Sequence, residues 1–566
     1  MEAESMGRRI VVIGGVATGP KAASRARRRD GSAEITVIER GDLFSYAGCG
    51  IPFYIEGAID DMRELLRTPI GVIRDERYFR DVKGVDMLAG TEAIRINRGD
   101  RTVTVEDLRE GRVYDVPYDK LVLAVGAEAF VPRIGGVDLD GVHLLSNPRD
   151  AEAIRKELDE GARNVAIIGG GLIGMETCGA LVPRGCRVTV FEMLDQLLPT
   201  LLDGDVALLL ESYLRERGVD VRTSSRVKEL LDGGDGRVSG VATVDGGRFD
   251  ADMVIIAAGV RPNISLAREA GLEIGVTGAI AVDEHLCTSA PDIYAGGDCV
   301  ENACLITGGK VYMPLGSTAN KHGRVIGDNV TGGCTIFPGV VRTVVFKVLD
   351  YNVGRTGLNE REAREAGYET VTSLAPRDDR AHYYPASQPF VIKLVADRET
   401  GRLLGGQVLG RGEVVKRIDI LATALRFGAS VKDVADLDLG YAPPYSTAID
   451  AAAHAANVIR NKMDGLARGI SAADLKAKLD RGENLVLLDV RTGGEAEEQP
   501  FRDPRVRRIP LGELRRRLGE LPGDREIVVY CRTSVRAYEA QRMLCSAGFS
   551  DVKFLEGSLA AWPYPL

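Results

Sequence analysis

The sequence contains a single tryptophan and few other aromatic residues, and its Cys49 has no partner cysteine at Cys-x-x-Cys or Cys-x4-Cys spacing. Its nine scattered cysteines show neither a disulfide framework nor a zinc-binding spacing, which is typical of proteins from a reducing compartment. No apolar run approaches the roughly 18 residues that a membrane-spanning helix needs. Because no apolar signal segment precedes the first strand, we expect a cytoplasmic protein with no membrane partner. We also expect no metal site, because the cysteines lack a zinc-binding spacing.

The charge distribution argues against a nucleic-acid-binding protein. The net charge is −9, and acidic and basic residues are interspersed along the chain. This pattern lacks the basic footprint of a protein that binds nucleic acid over its whole surface. A length of 566 residues is several times that of one ordinary core, so we expect three or four domains.

Among the residues that are present, Cys49 stands out by its setting. It lies between two glycines and three residues before Pro52, a sequence that is unsuited to the middle of a helix or strand. We therefore predict that its thiol is presented at a turn leading out of an element, although an arbitrary cysteine is more often a small buried residue. With no second cysteine at redox spacing, Cys49 would be a one-cysteine redox centre whose second sulfur arrives with the substrate.

The first of two glycine-rich turns follows a short apolar strand and opens a helix. Its glycines are Gly14, Gly15 and Gly19. The spacing departs from Gly-x-Gly-x-x-Gly, but the next strand ends in Glu39, where a carboxylate can bind a ribose hydroxyl. The pattern predicts a dinucleotide site. Cys49 follows this unit directly, so we expect it to lie close to a bound flavin.

The second glycine-rich turn follows the strand at residues 164–168 and has the full Gly-x-Gly-x-x-Gly spacing. Its glycines are Gly169, Gly171 and Gly174. The following strand ends in Glu192, an acid that should bind the 2′-hydroxyl of NAD and repel the 2′-phosphate of NADP, so NADH is the predicted donor. Glu176 has two interpretations, a plain acid at a helix start and a group that faces the nicotinamide.

Three further strand ends complete the pattern. Two buried runs stop at Gly126 and Gly259, and a third strand, at residues 292–298, ends on Asp298. With both turns and this aspartate in order, about the first 455 residues resemble the two-dinucleotide-domain flavoprotein disulfide reductases. The resemblance implies FAD on the first turn, Asp298 at the ribityl or pyrophosphate region of the flavin, and NAD(P)H on the second turn.

The single cysteine narrows the resemblance. The run Ser-x-x-x-Cys-Gly-x-Pro around Cys49 is similar to the branch of coenzyme A-disulfide reductases and NADH oxidases or peroxidases. No histidine occurs in the first glycine turn, where the peroxidases and oxidases of this branch carry one. The resemblance implies a homodimer in which tyrosines act across the interface, and coenzyme A held by the basic first helix and a nearby serine. The residues concerned are Tyr383, Tyr384 and Tyr441 for the tyrosines, and Lys21, Arg25, Arg28 and Ser45 for coenzyme A.

The last 97 residues read as a separate α/β module. A buried strand at residues 527–530 stops at Cys531, and a helix is predicted to start near Ala537. In such a loop, successive backbone N–H groups point inward and stabilise a bound anion or persulfide, and Arg536 adds positive charge. Together with Asp489-Val490-Arg491 and the run at residues 555–558, this loop resembles a rhodanese domain, which implies that Cys531 carries sulfur.

The predicted fold class is α/β, with two Rossmann-like dinucleotide-binding domains, an α+β dimerisation domain and a C-terminal rhodanese domain. Residues 1–120 and 252–335 are assigned to the FAD-binding domain and 121–251 to the NAD(P)H-binding domain. Residues 336–457 are assigned to the dimerisation domain, 458–469 to a linker and 470–566 to the rhodanese domain.

The combined prediction is an FAD-dependent NAD(P)H reductase of coenzyme A persulfide, coenzyme A disulfide or polysulfide. Cys49 would be the redox cysteine and Cys531 would supply sulfur. Two alternatives stay open. One is an NADH oxidase or peroxidase in which Cys49 cycles through a sulfenic acid. The other is a sulfur-carrier or persulfide-sensing protein whose C-terminal module relays sulfur to partners.

Overall fold

The computed structural model describes residues 7–566, and these divide into two compact units. The first unit comprises the described residues up to Gly169, together with Thr177–Arg187 and Val227–Val340. The second comprises Gly170–Glu176, Val188–Arg226 and Val341–Leu566.

A five-stranded parallel sheet forms the centre of the first unit. Its strands, in spatial order, are Ile293–Ala295, Lys120–Leu123, Arg9–Ile13, Glu34–Glu39 and Asp86–Ala89. The central strand Arg9–Ile13 is buried on both faces, which is why it reads as a continuous apolar run instead of an alternating one. The helix Thr18–Arg29 connects it to Glu34–Glu39, and its three consecutive arginines lie in the last turn, where the helix dipole favours cations.

Two helices of the first unit pack unusually closely. The helix Gly316–Asn329 crosses the helix Thr18–Arg29 at two glycines. A Cβ on Gly323 would lie 2.6 Å from the carbonyl oxygen of Thr18, and one on Gly327 would lie 2.7 Å from that of Ala22. Only glycine therefore permits this contact.

The rest of the first unit consists of smaller sheets and helices. A second parallel group contains Val142–Leu144, Met253–Ile256 and Asn164–Ile168. Two antiparallel sheets contain Thr91–Asn97, Thr102–Asp107 and Arg112–Pro117, and Val227–Asp232, Val238–Thr243 and Arg248–Asp250. The short strands pair as Ala127–Ala129 with Val260–Pro262 and Glu301–Ala303 with Lys310–Tyr312. The remaining α-helices are Ile51–Glu56, Glu76–Tyr78, Pro148–Glu160 and Ser265–Glu269.

The second unit contains an antiparallel sheet covered by helices. The strands, in spatial order, are Val344–Val348, Tyr351–Gly357, Leu403–Gly410, Pro389–Asp397 and Thr370–Asp378. The helices of this region are Glu360–Glu365, Val414–Arg426, Val431–Ala435 and Ala451–Met463. The unit also includes a parallel pair of strands, Arg187–Phe191 and Asp220–Arg222, whose pairing begins at Thr189 and Asp220. The helix Gly204–Glu216 belongs to the same unit. The helix Leu172–Leu181 has residues in both units.

The C-terminal part of the second unit contains a five-stranded parallel sheet. Its strands, in spatial order, are Gly469–Ile470, Val552–Leu555, Ile527–Tyr530, Val486–Asp489 and Val506–Arg508. Its α-helices are Ala472–Asp480, Gly493–Glu498, Leu511–Leu514 and Val535–Ser546. The predicted α/β fold class is therefore confirmed. None of the helices described has the length and apolar character required to cross a bilayer.

Candidate functional site

The first glycine turn, residues 14–19, can form only with glycine at two of its positions. Gly14 has a φ of +110°, and a Cβ there would lie 2.1 Å from the carbonyl oxygen of Ala124. A Cβ on Gly19 would lie 1.9 Å from the carbonyl oxygen of Gly14. The turn is therefore closed tightly at the start of the helix Thr18–Arg29, where free backbone N–H groups suit a phosphate.

Glu39 is fixed against this turn by two backbone donors. The N–H of Gly15 donates to Oε2 of Glu39 at 2.6 Å, and the N–H of Gly41 donates to Oε1 at 2.8 Å. Each carboxylate oxygen keeps a lone pair for a further donor. This arrangement presents the acid where the resemblance places the ribose of FAD.

The second glycine turn, residues 169–174, repeats the geometry of the first. Gly169 has a φ of +114°, and a Cβ there would lie 2.3 Å from the carbonyl oxygen of Ala257. Glu192 accepts from the N–H of Gly170 at 2.9 Å and from that of Leu194 at 2.8 Å. The two turns therefore hold their acids in the same way.

Several glycines of the predicted nucleotide sites face open space. No atom lies within 4 Å of a Cβ built on Gly126, Gly171 or Gly259. A side chain at these positions would occupy room that the glycine leaves for a ligand. Gly126 and Gly259 also have positive φ angles, +66° and +107°, which favour glycine independently of space. Gly174 is buried in the helix Leu172–Leu181.

Glu176 is not an ordinary exposed acid at a helix start. It is partly buried in the helix Leu172–Leu181, and burial raises the pKa of its carboxyl to about 7. A carboxyl whose pKa lies near neutrality is typical of functional sites. The structure thus gives more support to a functional interpretation than the sequence pattern did.

Asp298 carries an unsatisfied acceptor. Its Oδ1 is buried and has no hydrogen-bond partner among residues 7–566, and burial raises its pKa to about 6. The backbone around it is fixed, because Tyr312 Oη donates to the Asp298 carbonyl oxygen at 2.8 Å and the N–H of Gly297 donates to Nδ1 of His322 at 3.0 Å. Buried polar atoms without partners are rare, so Asp298 fits a ligand that supplies a donor such as a ribityl hydroxyl.

Cys49 lies in the short 3-10 turn Gly48–Gly50 and is exposed. The turn leads into the helix Ile51–Glu56 and not out of an element, because Pro52 is tolerated in the first turn of a helix. The described part of the chain contains no disulfide bond.

The segment that carries Cys49 is fastened to the first glycine turn. The N–H of Ser45 donates to the carbonyl oxygen of Gly15 at 2.9 Å, and Arg74 donates to the carbonyl oxygen of Ser45. Ser45 has a φ of +47°, so the chain bends sharply at this point. The structure therefore brings Ser45 and Cys49 into one segment attached to the first glycine turn.

The basic helix Thr18–Arg29 presents its predicted substrate-binding residues unequally. Lys21 and Arg28 are exposed. Arg25 is half-buried, and its Nε donates to Oδ1 of Asp328 at 2.6 Å. Asp328 is 303 residues away, so no sequence pattern indicated this pair. The charge available to an anionic ligand is therefore lower at Arg25 than at the other two positions.

The predicted catalytic tyrosines belong to the second unit. Tyr383 and Tyr441 are 65% and 52% exposed, and Tyr384 is half-buried. The segment after Tyr441 is anchored, because Ser446 Oγ donates to Oδ2 of Asp450 at 2.9 Å. The segment that follows the exposed Tyr441 side chain is therefore held in place.

Cys531 lies in the loop at residues 531–536, between the strand Ile527–Tyr530 and the helix Val535–Ser546. It is 1% exposed. Its N–H donates to Ser558 Oγ at 3.2 Å, and its Sγ lies 3.8 Å from the same oxygen. Within residues 7–566, no acceptor is found for the N–H groups of residues 532–535. Donors at the start of a helix suit an anion, and here they follow the Cys531 thiol directly in the chain.

Arg536 is held by an acid that the sequence analysis did not identify. Both of its terminal nitrogens donate to the carboxylate of Glu495, each at 2.7 Å. This pair raises the pKa of Arg536 and lowers that of Glu495 to about 2. Arg536 also interacts with the Cys531 thiol. Glu495 therefore orients the guanidinium beside the sulfur.

The run Asp489-Val490-Arg491 has a structural role in this geometry. Arg491 and Asp489 form a fully buried ion pair at 2.7 Å, and Tyr530 Oη donates to Asp489 at 3.1 Å. The pair braces the strand that ends at Cys531. Its buried charges are mutually neutralised, so neither is available to a substrate.

Comparisons with known proteins agree with this geometry. Residues 8–323 match the family described as pyridine nucleotide-disulphide oxidoreductase, residues 343–453 match the dimerisation domain of that family, and residues 471–563 match a rhodanese-like domain. The NAD(P)H sulfur oxidoreductase (CoA-dependent) of Pyrococcus abyssi is 39% identical over 452 residues, which are 80% of this chain and 98% of that protein.

Two solved structures cover almost the whole chain. The NAD-dependent persulfide reductase from A. fulgidus is 46% identical, has a TM-score of 0.93, and is matched over 98% of this chain and 100% of that one. The reduced CoADR-RHD of Bacillus anthracis is 34% identical, with a TM-score of 0.90 and 98% of each chain covered. The chain therefore belongs to the pyridine nucleotide-disulphide oxidoreductase family, with its dimerisation domain and a C-terminal rhodanese-like domain.

Proposed function

We propose that this protein is an NAD(P)H-dependent flavoprotein reductase of coenzyme A persulfide, coenzyme A disulfide or polysulfide. Cys49 is its single redox cysteine, and Cys531 transfers sulfur. The observation that carries the proposal is the hydrogen bond from the Ser45 N–H to the Gly15 carbonyl oxygen, because it attaches the segment of an exposed cysteine to a dinucleotide turn. The similarity to sulfur and persulfide reductases supports the choice of substrate.

Family membership implies FAD and NAD(P)H as cofactors. The first glycine turn, Glu39 and Asp298 would hold FAD, and the second glycine turn and Glu192 would hold the nicotinamide nucleotide. When bound, FAD would supply the chemistry that carries an electron pair from NAD(P)H to a sulfur substrate. Because Glu192 keeps a carboxylate where the 2′-phosphate of NADPH would lie, NADH is the preferred donor.

Cys49 acts as the nucleophile. Its thiolate attacks the outer sulfur of coenzyme A persulfide, the sulfur–sulfur bond of the substrate breaks, and coenzyme A leaves as a thiolate. Cys49 then carries the outer sulfur as a persulfide. Two electrons and two protons convert that persulfide into the Cys49 thiol and hydrogen sulfide, and one NADH with one proton supplies them.

Other residues of the chain bind the substrate and move the proton. Lys21 and Arg28 are exposed cations for the adenosine phosphates of coenzyme A, and Arg25 contributes less because it is paired with Asp328. In the homodimer, Tyr441, with Tyr383 and Tyr384, protonates the leaving thiolate from the partner protomer. Their exposure on this chain suits a role across an interface.

Cys531 supplies the persulfide. Its thiolate accepts a sulfane sulfur from a donor, and the loop N–H groups stabilise the resulting persulfide anion. The thiolate of coenzyme A then attacks the outer sulfur and leaves as coenzyme A persulfide, which regenerates the Cys531 thiolate.

The test is NADH turnover with coenzyme A persulfide by wild type and Cys49→Ser. Cys334→Ser is the matched control, because Cys334 is also exposed and takes no part in the proposal. We expect a loss of about a thousandfold for Cys49→Ser and no change for the control. Undiminished turnover in Cys49→Ser would contradict the proposal, as would NADH oxidation by peroxide that is much faster than by persulfide.

A further inference from the structure

A lysine in the segment between the dimerisation domain and the rhodanese-like domain connects the two through a nearly buried ion pair and a hydrogen bond. Lys462 Nζ donates to Oε1 of Glu556 at 2.5 Å and to the carbonyl oxygen of Thr372 at 2.7 Å. The two charged side chains are only 12% and 14% exposed. Breaking such a pair leaves a buried charge without a partner, so the contact fixes the two domains relative to each other.

The fastened segment is the one that supports Cys531. A Cβ on Gly557 would lie 3.4 Å from Cδ2 of Leu374, which belongs to the edge strand Thr370–Asp378 of the dimerisation domain. The next residue, Ser558, accepts the hydrogen bond from the Cys531 N–H. The Cys531 loop is therefore held in a fixed position beside this edge strand.

Arg377 of the same edge strand has an unsatisfied donor. Its Nε is buried and has no hydrogen-bond partner in the described part of the chain, while Nη1 donates to the neighbouring carbonyl oxygen of Pro376 at 3.1 Å. Burial lowers its pKa, and the groups that oppose this effect electrostatically are Asp378 and the Cys531 thiol. A buried guanidinium N–H without an acceptor is energetically costly, and an anion would satisfy it.

Of the two residues that interact electrostatically with Arg377 in its own domain, Asp378 is exposed to solvent and His454 carries no negative charge. His454 belongs to the helix Ala451–Met463 and lies near Arg377. Burial together with the Arg377 charge lowers the pKa of the His454 imidazole to about 4. The imidazole is therefore neutral at physiological pH. Arg377 and Arg536 both interact electrostatically with Cys531, and Arg536 is already paired with Glu495.

We propose that Arg377 of the dimerisation domain completes the sulfur-transfer site of Cys531 by binding the anionic sulfur formed there. The inference rests on the proposed role of Cys531 as a sulfur carrier. During transfer to an acceptor thiolate, the acceptor sulfur bonds to the outer sulfur of the Cys531 persulfide, and the bond between that sulfur and Sγ breaks. The electron pair of the broken bond goes to Sγ, and the positive charge of Arg377 stabilises the thiolate that results.

The experiment uses the full-length protein, with thiosulfate as sulfur donor and cyanide as acceptor. Arg377→Gln removes the charge, Arg377→Lys keeps it, and Cys531→Ser sets the background. Arg398→Gln is the matched control, because Arg398 follows the neighbouring strand and is paired with Glu369 at 3.1 Å on the surface. The melting temperature of each variant separates a loss of function from a loss of folding.

We expect sulfur transfer to fall at least about tenfold in Arg377→Gln, with the acid limb of its pH profile moved to higher pH. Arg377→Lys should recover most of the rate, and Arg398→Gln should match wild type. NADH-dependent reduction of preformed coenzyme A persulfide should have the same rate in wild type and in the three arginine variants.

Three results would overturn different parts of the account. A wild-type rate and an unmoved pH profile in Arg377→Gln, with transfer abolished in Cys531→Ser, would refute the role of Arg377 alone. Loss of transfer to the same extent in Arg377→Gln and Arg377→Lys, with a lowered melting temperature in both, would assign Arg377 a purely structural role. Wild type no faster than Cys531→Ser would refute the sulfur-transfer function of Cys531 itself.

Discussion

Cys49 and Cys531 are both proposed to handle sulfur, yet the structure places them in opposite environments. Cys49 is exposed in a three-residue turn, and hydrogen bonds attach its segment to a dinucleotide turn. Cys531 is 1% exposed, its N–H donates to a serine hydroxyl, and it interacts electrostatically with two arginines.

The difference indicates what each thiol needs from outside the chain. A thiol on an exposed turn is accessible to a large substrate and to groups of a partner protomer. A thiol that is buried beside a serine hydroxyl and interacts with arginines can stabilise a persulfide with groups of its own unit. We infer that electrons enter at Cys49 and that sulfur enters at Cys531, and each prediction below tests that separation.

The largest expected effect is a complete separation of the two activities. Cys531→Ser should abolish sulfur transfer from thiosulfate while leaving NADH-dependent reduction of preformed coenzyme A persulfide within about twofold of wild type. Cys545→Ser, in the helix that follows the Cys531 loop, is the control and should change neither rate. A parallel loss of both activities in Cys531→Ser would show that the two sulfur centres do not act independently.

A second prediction concerns the flavin side alone. Asp298→Ala removes the carboxylate whose buried Oδ1 lacks a partner, so the protein should retain less flavin and lose NADH turnover by about tenfold or more. Sulfur transfer at Cys531 should be unaffected. The absorbance ratio at flavin and protein wavelengths after gel filtration measures the retained flavin.

Asp298→Asn is the conservative control for this change. Its amide oxygen can still accept from a hydroxyl, so the variant should retain more flavin than Asp298→Ala. Full flavin content in Asp298→Ala would show that Asp298 does not contact the cofactor.

A smaller effect is expected on the Cys531 side. Ser558→Ala leaves the buried N–H of Cys531 without its acceptor, which should lower the free energy of unfolding by about 1–3 kcal/mol. Sulfur transfer should decrease about tenfold because the loop is less rigid, while NADH turnover at Cys49 should not change. Ser550→Ala, at an exposed position of the same domain, is the control for both measurements. Unchanged transfer in Ser558→Ala would exclude Ser558 from the support of the loop.

The smallest predicted effect depends on pH. The hydrogen bonds from Arg536 lower the pKa of Glu495 to about 2 from its ordinary 4.5, so the stabilisation is fully present above pH 4.5 and is lost as the pH falls towards 2. Glu495→Gln should therefore be less stable than wild type by about 1 kcal/mol at neutral pH, and the difference should vanish at the acid end.

Chemical unfolding at several pH values checks this prediction. Glu498→Gln, on an exposed position of the same helix, should show no such dependence. A stability difference for Glu495→Gln that persists unchanged to pH 2 would contradict the assignment.

The fold could be predicted from local signals because buried apolar runs and turn residues alternate along the chain. The strand predicted at residues 527–530 is observed at Ile527–Tyr530, and the helix predicted near Ala537 begins at Val535. The prediction that Cys49 is presented at a turn is confirmed, but the turn leads into the helix Ile51–Glu56, because Pro52 can begin a helix. The domain boundaries and the roles of individual residues stay predictions.

The site was predictable only where its residues share a local pattern. Glu39 and Glu192 follow from strand ends, and the structure gives both the same pair of backbone donors. Glu495 and Arg377 were missed because their relation to Cys531 comes from tertiary packing, with no spacing rule that links them. Such residues are identified by a buried charged group that either lacks a partner or forms an ion pair near the thiol. Only a structure shows this.

The most direct test of the account follows labelled sulfur through both cysteines. Full-length protein receives thiosulfate with an isotopic label in the outer sulfur, together with coenzyme A, and mass spectrometry locates the label before and after NADH is added. The account predicts labelled persulfide on the Cys531 peptide and on coenzyme A before NADH, and labelled hydrogen sulfide after NADH in wild type but not in Cys49→Ser. Labelled sulfide formed by Cys49→Ser at the wild-type rate, or no label on Cys531, would contradict it.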